Sequence, residues 1–423
     1  MRYRVRVLIL LFLLSIITYI DRVCISVAGP RMQSDLAITP DKWGWIVGAF
    51  TLSYALFEIP AGVMADKSGA RNVLTRIVLW WSAFTSLTGV VSNFYALLAV
   101  RFAFGAGEAG AYPGSASAVS RWFPAAERAR ATGIVWMASR IGGAVSPLLV
   151  IPIQQAYGWR MSFYVFGILG AIWCVVWFWW YRDHPTQKPG ITEKELVEIG
   201  AGAPKKAHSM PWGKALSRWT YWNILLMYHC YCWGSYFYLS WLHTYLQKGR
   251  GFSENEMKWL ATAPFICGAI GNLLGGAVSD HLVKRKGLKF GRRIVGAMGL
   301  ALSGTFMLLT SQTENNYLAV VFLALGYGSM DCMLPVAWAV CLDVGGKYAG
   351  AVSGSMNMAG QMGSFLTSLS FGYIVTYTQS YNTPLIPMGM MLLISAFLFS
   401  RIDPTRPLIE DDEDSTPGLA RAA

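Results

Sequence analysis

Two pairs of opposite charges set in apolar sequence are the residues able to do chemistry here. Asp21 and Arg22 stand side by side inside an apolar run that extends from Val5 to about Ala28. Arg101 and Glu108 lie seven residues apart in another run, a spacing that returns to one helix face, so both can line one cavity at different depths. In hydrocarbon each charged side chain costs roughly 2.5–3.5 kcal/mol even on the lenient insertion scale. Such groups therefore turn toward a protein interior or a watery cavity and are functional by default. The bland alternative is a pair of structural salt bridges, yet buried pairs are weak devices for stability alone. Arg22 and Arg101 offer planar donor forks that suit a carboxylate and stay charged at any working pH. Asp21 and Glu108 hold or release a proton according to the balance between burial and the neighbouring arginines. A proton on the acid frees its arginine for a substrate anion.

Further polar residues inside apolar runs extend this set. Tyr54 and Glu58 are four apart, hence on one face. Glu58 either adds a proton site or partners Arg140, which falls near mid-depth of its own run; structural pairing and substrate contact both stay open for these two. Asp331 precedes Pro335 and is either a titrating site or a cap on a proline break, the second being the simpler reading. Ser353, Asn357 and Gln361 form an i, i+4, i+8 stripe among glycines. That stripe fits close helix packing or recognition of sugar hydroxyls, with Asn357 as the candidate ligand. His229 and the aromatic run Tyr236-Phe237-Tyr238 with Trp241 share another apolar run.

The elements that must position these residues are membrane helices. The chain has 423 residues, of which 54% are hydrophobic and 14% charged, too apolar for an ordinary aqueous fold. It divides into runs of about 20 residues, each long enough to cross a ~30 Å hydrocarbon core as a helix. Twelve spans are predicted, near 5–28, 42–64, 73–92, 94–119, 129–156, 160–181, 218–247, 254–282, 293–312, 316–343, 346–376 and 382–402. The Pro-rich, charged segment 182–217 separates an N-terminal six-helix bundle (1–181) from a C-terminal one (218–402). An acidic tail (403–423) follows, with the run 410–414 expected to be disordered. The expected class is an all-α polytopic membrane protein with twelve transmembrane helices in two pseudo-symmetric six-helix bundles.

Charge fixes the orientation. Of the 35 Lys and Arg, 26 fall on the side that holds both termini and the central segment. The positive-inside rule then places that side in the cytoplasm, and a multi-pass protein of the cytoplasmic (inner) membrane is expected. The net charge of +12 is scattered in short clusters between apolar runs, without the stripe a nucleic-acid binder needs. Arg2, Arg4 and Arg6 before an apolar run resemble a signal peptide, with Ser26-Val27-Ala28 as its cleavage site. Cleavage would remove Asp21 and Arg22 and unpair the halves, so the segment is read as the first span. The seven cysteines lie in or beside apolar runs, where thiols behave as small hydrophobes. No metal, nucleophile or phosphate motif stands out, so neither an enzyme nor a cofactor is expected.

The halves repeat. Gly62, Asp66 and Arg71 recur as Gly276, Asp280 and Arg285, each 214 residues on. The first copy also carries Gly69, where the second has Val283. Such repetition marks a transporter with its site at the interface of two halves. The Gly-x-x-x-Asp-x-x-Gly-x-Arg pattern at 62–71 resembles the loop signature of the major facilitator superfamily. That resemblance implies that the Asp caps neighbouring helix ends and that the Arg pairs across the loop as a cytoplasmic latch. Within the superfamily, Asp21-Arg22 and the stretch from Arg101 to Gly110 are similar to the anion:cation symporter family, which includes galactonate, glucarate, hexuronate and phthalate permeases and vesicular glutamate and sialic acid carriers. The resemblance implies Asp21 and Glu108 as proton sites, Arg22 and Arg101 as anion ligands, and Tyr54 as a substrate contact. Glu58 and Arg140 depart from it, since it implies glutamine and a neutral polar residue there.

The expected activity is proton-coupled uptake of an organic acid anion, a sugar acid or hexuronate, by alternating access. The expected partners are that small anion, protons and the lipid bilayer, with no nucleic acid, in a monomer. A proton-independent facilitator or an exporter of drugs or organic anions is the rival within the class. A non-transporting anion sensor is the rival outside it, and it would need a sizeable cytoplasmic domain that 182–217 is too polar to form.

Overall fold

The computed structural model describes residues 2–199 and 210–409; the side chains at 59, 62, 63, 65–68, 125, 126, 129 and 347 are outside that description. The acidic run 410–414 lies outside the described residues, as does Pro204 of the central segment. Among those described, every regular element is helical. The N-terminal half comprises α1 (Tyr3–Asp35), α2 (Pro40–Ser68), α3 (Ala70–Thr88), α4 (Phe94–Glu108), α5 (Ala111–Trp122), α6 (Ala125–Tyr157) and α7 (Trp159–Trp180). The central segment contributes α8 (Glu193–Ile199) and α9 (Trp212–Leu216). The C-terminal half comprises α10 (Trp219–Ser240), α11 (Leu242–Thr244), α12 (Glu254–Leu260), α13 (Thr262–Lys286), α14 (Leu288–Gln312), α15 (Asn316–Gly345), α16 (Ala349–Thr378) and α17 (Leu385–Arg401).

These helices make twelve spans in two six-helix bundles, because α4–α5 and α12–α13 each form one broken span and α11 continues α10 into a π-helical turn at Tyr245–Gly249. Among the described residues, six helical stretches, α12–α13 taken as one, are long and apolar enough to cross a membrane by length and composition alone. Large apolar side chains such as Leu79, Trp179, Leu273 and Phe397 face outward, as lipid-facing helices require, since a helix satisfies its own backbone. One of the broken spans is interrupted beside a candidate site residue. The run near 94–119 breaks at Ala109-Gly110, immediately after Glu108, where Gly105, Gly107 and Gly110 weaken the helix.

The halves touch along α2–α16 and α6–α13, and glycine sets how closely. A Cβ on Gly44 would stand 2.6 Å from the Ser368 carbonyl, and one on Gly372 would stand 2.3 Å from that of Pro40. No side chain fits there. At the other end of the same helices a Cβ on Gly350 or Gly354 would meet nothing within 4 Å. The interface is thus a wedge, shut at one face and open at the other.

The open face carries the start of α1, the described parts of the central segment and the described residues after α17. There Glu195 accepts from the Arg4 backbone N–H (2.9 Å), Glu198 pairs with Arg2 (2.8 Å), and the Leu408 N–H donates to the Val344 carbonyl (2.9 Å). At the shut face the Arg31 fork from α1 grips Glu254 of α12 at 2.5 and 2.7 Å. Ser26 meets His243 Nδ1 (3.1 Å), Gln33 donates to Thr244 (3.3 Å), and Gln155 donates to Asn255 (3.3 Å).

Candidate functional site

The wedge encloses a cavity of about 620 Å3 between the halves. Of the sequence-predicted residues, Arg22, Tyr54, Glu58, Arg140 and Asn357 lie on its wall. Asp21, Arg101 and Glu108 lie behind it, in the packing of the N-terminal half; Asp21 is 2% exposed and Glu108 0%. The tertiary structure therefore splits the expected set into a wall and a layer that backs it.

Arg22 joins the two layers. Its Nε donates to Glu108, a buried ion pair within the N-terminal half. Its guanidinium lies over the rings of Tyr54 (4.9 Å), Phe50 (5.2 Å) and Tyr19 (5.4 Å). Phe50 also carries the Arg101 guanidinium at 5.4 Å on its ring, and Phe104 carries it at 4.5 Å. One phenyl ring thus lies within cation–π reach of both cations and, by its quadrupole, attracts both. The sequence reading missed Phe50; its place four residues before Tyr54 on the face of α2 was the available signal. Close approach of α4 to α2 makes this possible, because a Cβ on Gly105 would stand 2.3 Å from the Phe50 carbonyl. Both Asp21 carboxylate oxygens, Glu108 Oε2 and Arg22 Nη2 are buried without a hydrogen-bond partner in the protein. Buried polar atoms in that condition are costly unless they serve a function.

Several contacts cross from half to half at the cavity. Asn357 of α16 donates to Glu58 of α2 at 2.5 Å. Arg140 of α6 pairs with Asp331 of α15: Nη2 donates to Oδ1 at 3.1 Å, and Nε lies 2.9 Å from Oδ2 as an ion-pair contact without hydrogen-bond geometry. Arg140 Nη1 donates to the Tyr327 hydroxyl at 2.9 Å. Two expectations change here. Glu58 is not the partner of Arg140; it belongs to Asn357. Asp331 does not cap a proline break, because α15 runs unbroken from Asn316 through Pro335 to Gly345. The signal for Asp331 was its status as the acid near mid-depth of the second half, matching an arginine at mid-depth of the first.

Ser353 and Gln361 line the cavity beside Asn357, and so does Tyr236, whose hydroxyl donates to the Val47 carbonyl of the other half at 3.4 Å. Tyr238 is used in packing: its hydroxyl donates to the Leu323 carbonyl (2.9 Å) and its ring meets Tyr327 at 4.4 Å. Phe237 and Trp241 both stack on Phe371. His229 Nδ1 lies 2.9 Å from the Ala359 carbonyl.

At the loop between α2 and α3, Gly69 has φ +78, and a Cβ there would collide with the Asp183 carboxylate at 2.6 Å. Asp183 accepts the Arg71 N–H at 3.1 Å, while the Arg71 side chain donates to the Phe178 carbonyl at 2.8 Å and lies over its ring at 4.4 Å. Gly62 and the Asp66 side chain lie outside the described residues. In the second copy Gly276 is loosely packed, with Pro335 at 3.9 Å from a Cβ built there. Asp280 pairs with Arg292 at 2.9 Å, and Arg292 also reaches Asp343 at 3.2 Å. Arg285 is exposed, so in the described contacts Arg292, not Arg285, holds that aspartate.

Among the described residues, no cluster of three or more His, Cys, Asp or Glu could hold a metal ion. The Major Facilitator Superfamily profile matches residues 11–368 and again 224–421. The chain is 35% identical over 416 residues to a probable sulfoacetate transporter of Cupriavidus necator, covering 97% of this chain and 96% of that one. It is 31% identical to a probable galactarate/D-glucarate transporter of Bacillus subtilis (90% and 88% covered) and 31% identical to a hexuronate transporter of the same organism (95% and 95%). Among solved structures, a bacterial homologue of the human lysosomal transporter Spinster, in an inward-facing unoccupied conformation, superposes with a TM-score of 0.76 at 20% identity, covering 95% of this chain and 97% of that one. These relatives are of the kind the anion:cation symporter resemblance implied. With its twelve helices, paired halves and central cavity, the chain belongs to the major facilitator superfamily of membrane transporters.

Proposed function

We propose that this transporter takes up an organic acid anion together with protons, the substrate being a sugar acid or hexuronate. The observation that carries the reading is the contact between Arg22, on the cavity wall, and Glu108, buried behind it. A permanent cation and a titratable acid in direct contact form an exchange unit: a proton on Glu108 releases the Arg22 fork to a substrate carboxylate, and substrate release returns it. Asp21 and Glu58 are further proton sites, and Arg101 supports the anion from behind Phe50. Tyr54, Arg140 and Asn357 complete the binding wall. Gly62, Asp66, Gly69, Arg71, Gly276, Asp280 and Arg285 shape the loops that shut the open face in the other half of the cycle.

The open face is the cytoplasmic one, because it is the side to which the sequence assigns 26 of the 35 Lys and Arg. In this orientation both termini are cytoplasmic, the membrane is the inner one, and the cavity is poised to release cargo inward. Residues 1–181 and 218–402 act as the two rocking units of a monomer, tied by 182–217. A sulfonated acid is a second reading, favoured by the relative named for sulfoacetate, since a guanidinium fork accepts a sulfonate as it accepts a carboxylate.

The test is uptake of labelled glucarate, galacturonate and sulfoacetate into proteoliposomes under an inward proton gradient. Accumulation of at least one above equilibrium, abolished by a protonophore, is expected. Uptake that only equilibrates, with counterflow indifferent to pH, would make the protein a facilitator and overturn the coupling.

A further inference from the structure

We propose that the substrate is a dianion whose two acid groups are held by Arg22 and Arg140, and that Asp331 competes with it for Arg140. This rests on the transport reading and names its substrate class. The cavity wall presents two guanidinium groups, Arg22 from α1 and Arg140 from α6, helices that pack side by side. Tyr19 sits where they meet: its ring lies under Arg22 at 5.4 Å, and its Cβ stands 3.0 Å from a Cβ built on Gly142. A monoanion needs one such fork. Two forks on one wall, in a site where fixed charge is costly to bury, suit a molecule with an acid at each end.

Arg140 already has an occupant shaped like that second acid. The Asp331 carboxylate occupies the fork, Oδ1 accepting from Nη2 at 3.1 Å and Oδ2 lying 2.9 Å from Nε, and the Tyr327 hydroxyl accepts from Nη1 at 2.9 Å. Arg140 and Tyr327 face the cavity, whereas Asp331 does not line it and is 0% exposed. The fork is therefore reachable by substrate from one side and by Asp331 from the other. Asp331 also belongs to the opposite half, so the rocking that changes the gap between α6 and α15 changes its hold on Arg140. When the two part, the fork takes the substrate's second acid group and Asp331 takes up a proton from hydronium in the cavity, leaving water. When they close, Asp331 returns that proton to water, re-forms the pair and expels the acid group. The titratable and charged groups facing Asp331 are Arg140 of α6, Tyr231 and Tyr238 of α10, and Tyr327 and Cys332 of its own helix.

Glucarate and gluconate share one skeleton and differ by one carboxylate, and sulfoacetate against acetate gives a second matched pair. In proteoliposomes the wild type should take the diacid of a pair with a KM at least about tenfold lower, as for a charge-assisted bidentate contact. Arg140→Gln should raise the KM for the diacid at least about tenfold more than for the monoacid. Asp331→Asn, which removes the competitor, should lower the diacid KM while slowing turnover, a split that a merely structural bridge would not produce. A working carrier that handles diacid and monoacid alike, or an Arg140→Gln variant that weakens both in proportion, overturns this inference alone. The wild-type comparison stands even if a variant misfolds. Failure of every acid to accumulate strikes the transport reading, and this inference with it.

Discussion

Arg22 of α1 and Glu108 of α4 meet side chain to side chain across 86 residues of sequence, with the arginine on the cavity wall and the glutamate sealed behind it. Replacing Glu108 by Gln keeps the shape of the pair and removes its titration. The expected outcome is loss of gradient-driven accumulation with substrate exchange retained. Asp21→Asn should behave in the same direction, because its carboxylate has no partner in the protein to explain its burial otherwise. Full accumulation by both variants, measured against an imposed pH gradient, would remove these residues from the coupling.

Arg22 itself is predicted to be needed twice. Arg22→Ala should leave Glu108 buried without its cation, costing about 3–5 kcal/mol as other broken buried pairs do. The same change should abolish substrate-induced thermal stabilisation. Arg22→Lys should restore part of the stability but not the binding, since a point charge does not replace a planar fork. Melting curves of purified protein with and without 10 mM-scale acid, on the order of saturation for a weak site, separate the two effects.

Closure at the shut face depends on glycine. Gly372→Leu places side-chain atoms where the Pro40 carbonyl stands 2.3 Å from the Cβ position, so α2 and α16 must part. Removing the Arg31–Glu254 grip by Glu254→Ala should act in the same direction but more weakly, because a partly buried surface pair contributes on the order of 1 kcal/mol. Spin labels at Gln155 and Asn255, which touch across this face at 3.3 Å, should show a longer distance in both variants, with the larger change in Gly372→Leu. Unchanged distances would show that the wedge is not held shut there.

Beyond the last span, Lys289 and Thr405 donate to Asp403 at 2.7 Å each and hold its carboxyl well below the ordinary range. The sign follows from linkage: a carboxylate depressed on folding stabilises the protein above its unfolded value and loses that contribution as pH falls through the folded one. Asp403→Asn should therefore be less stable than wild type near neutral pH, with the gap closing on acidification below about pH 4. Half-exposed Lys289 makes the effect small and salt-sensitive. A gap that stays constant from pH 7 to pH 3, on the order of the ordinary carboxylate range, would refute the assignment.

How much of this was legible in advance differs between the fold and the site. The spans, the repeat of Gly62, Asp66 and Arg71 at 276, 280 and 285, and the gathering of basic residues on one face are linear properties. Helices satisfy their own backbone in lipid, so hydropathy reads them directly. The residue types at Asp21, Arg22, Arg101 and Glu108 were legible for the same reason, since charge is conspicuous in an apolar run.

Partnership was not legible, because it is set by which helix faces approach. Sequence offered Glu58 to Arg140; packing of α6 against the C-terminal half gave Arg140 to Asp331 and left Glu58 to Asn357. Asp21 and Arg22 are neighbours in sequence, yet about 100° of helical turn separates adjacent side chains, so Arg22 reaches the cavity while Asp21 stays behind it. Asp280 pairs with Arg292, seven residues beyond Arg285. The sequence by itself determined which residues carry charge, how many spans bring them in, and that two halves frame one site. Only the tertiary structure decided which cations face the cavity and which acid each one holds, because those depend on helix rotation and on the close approach that glycines such as Gly105 and Gly372 permit.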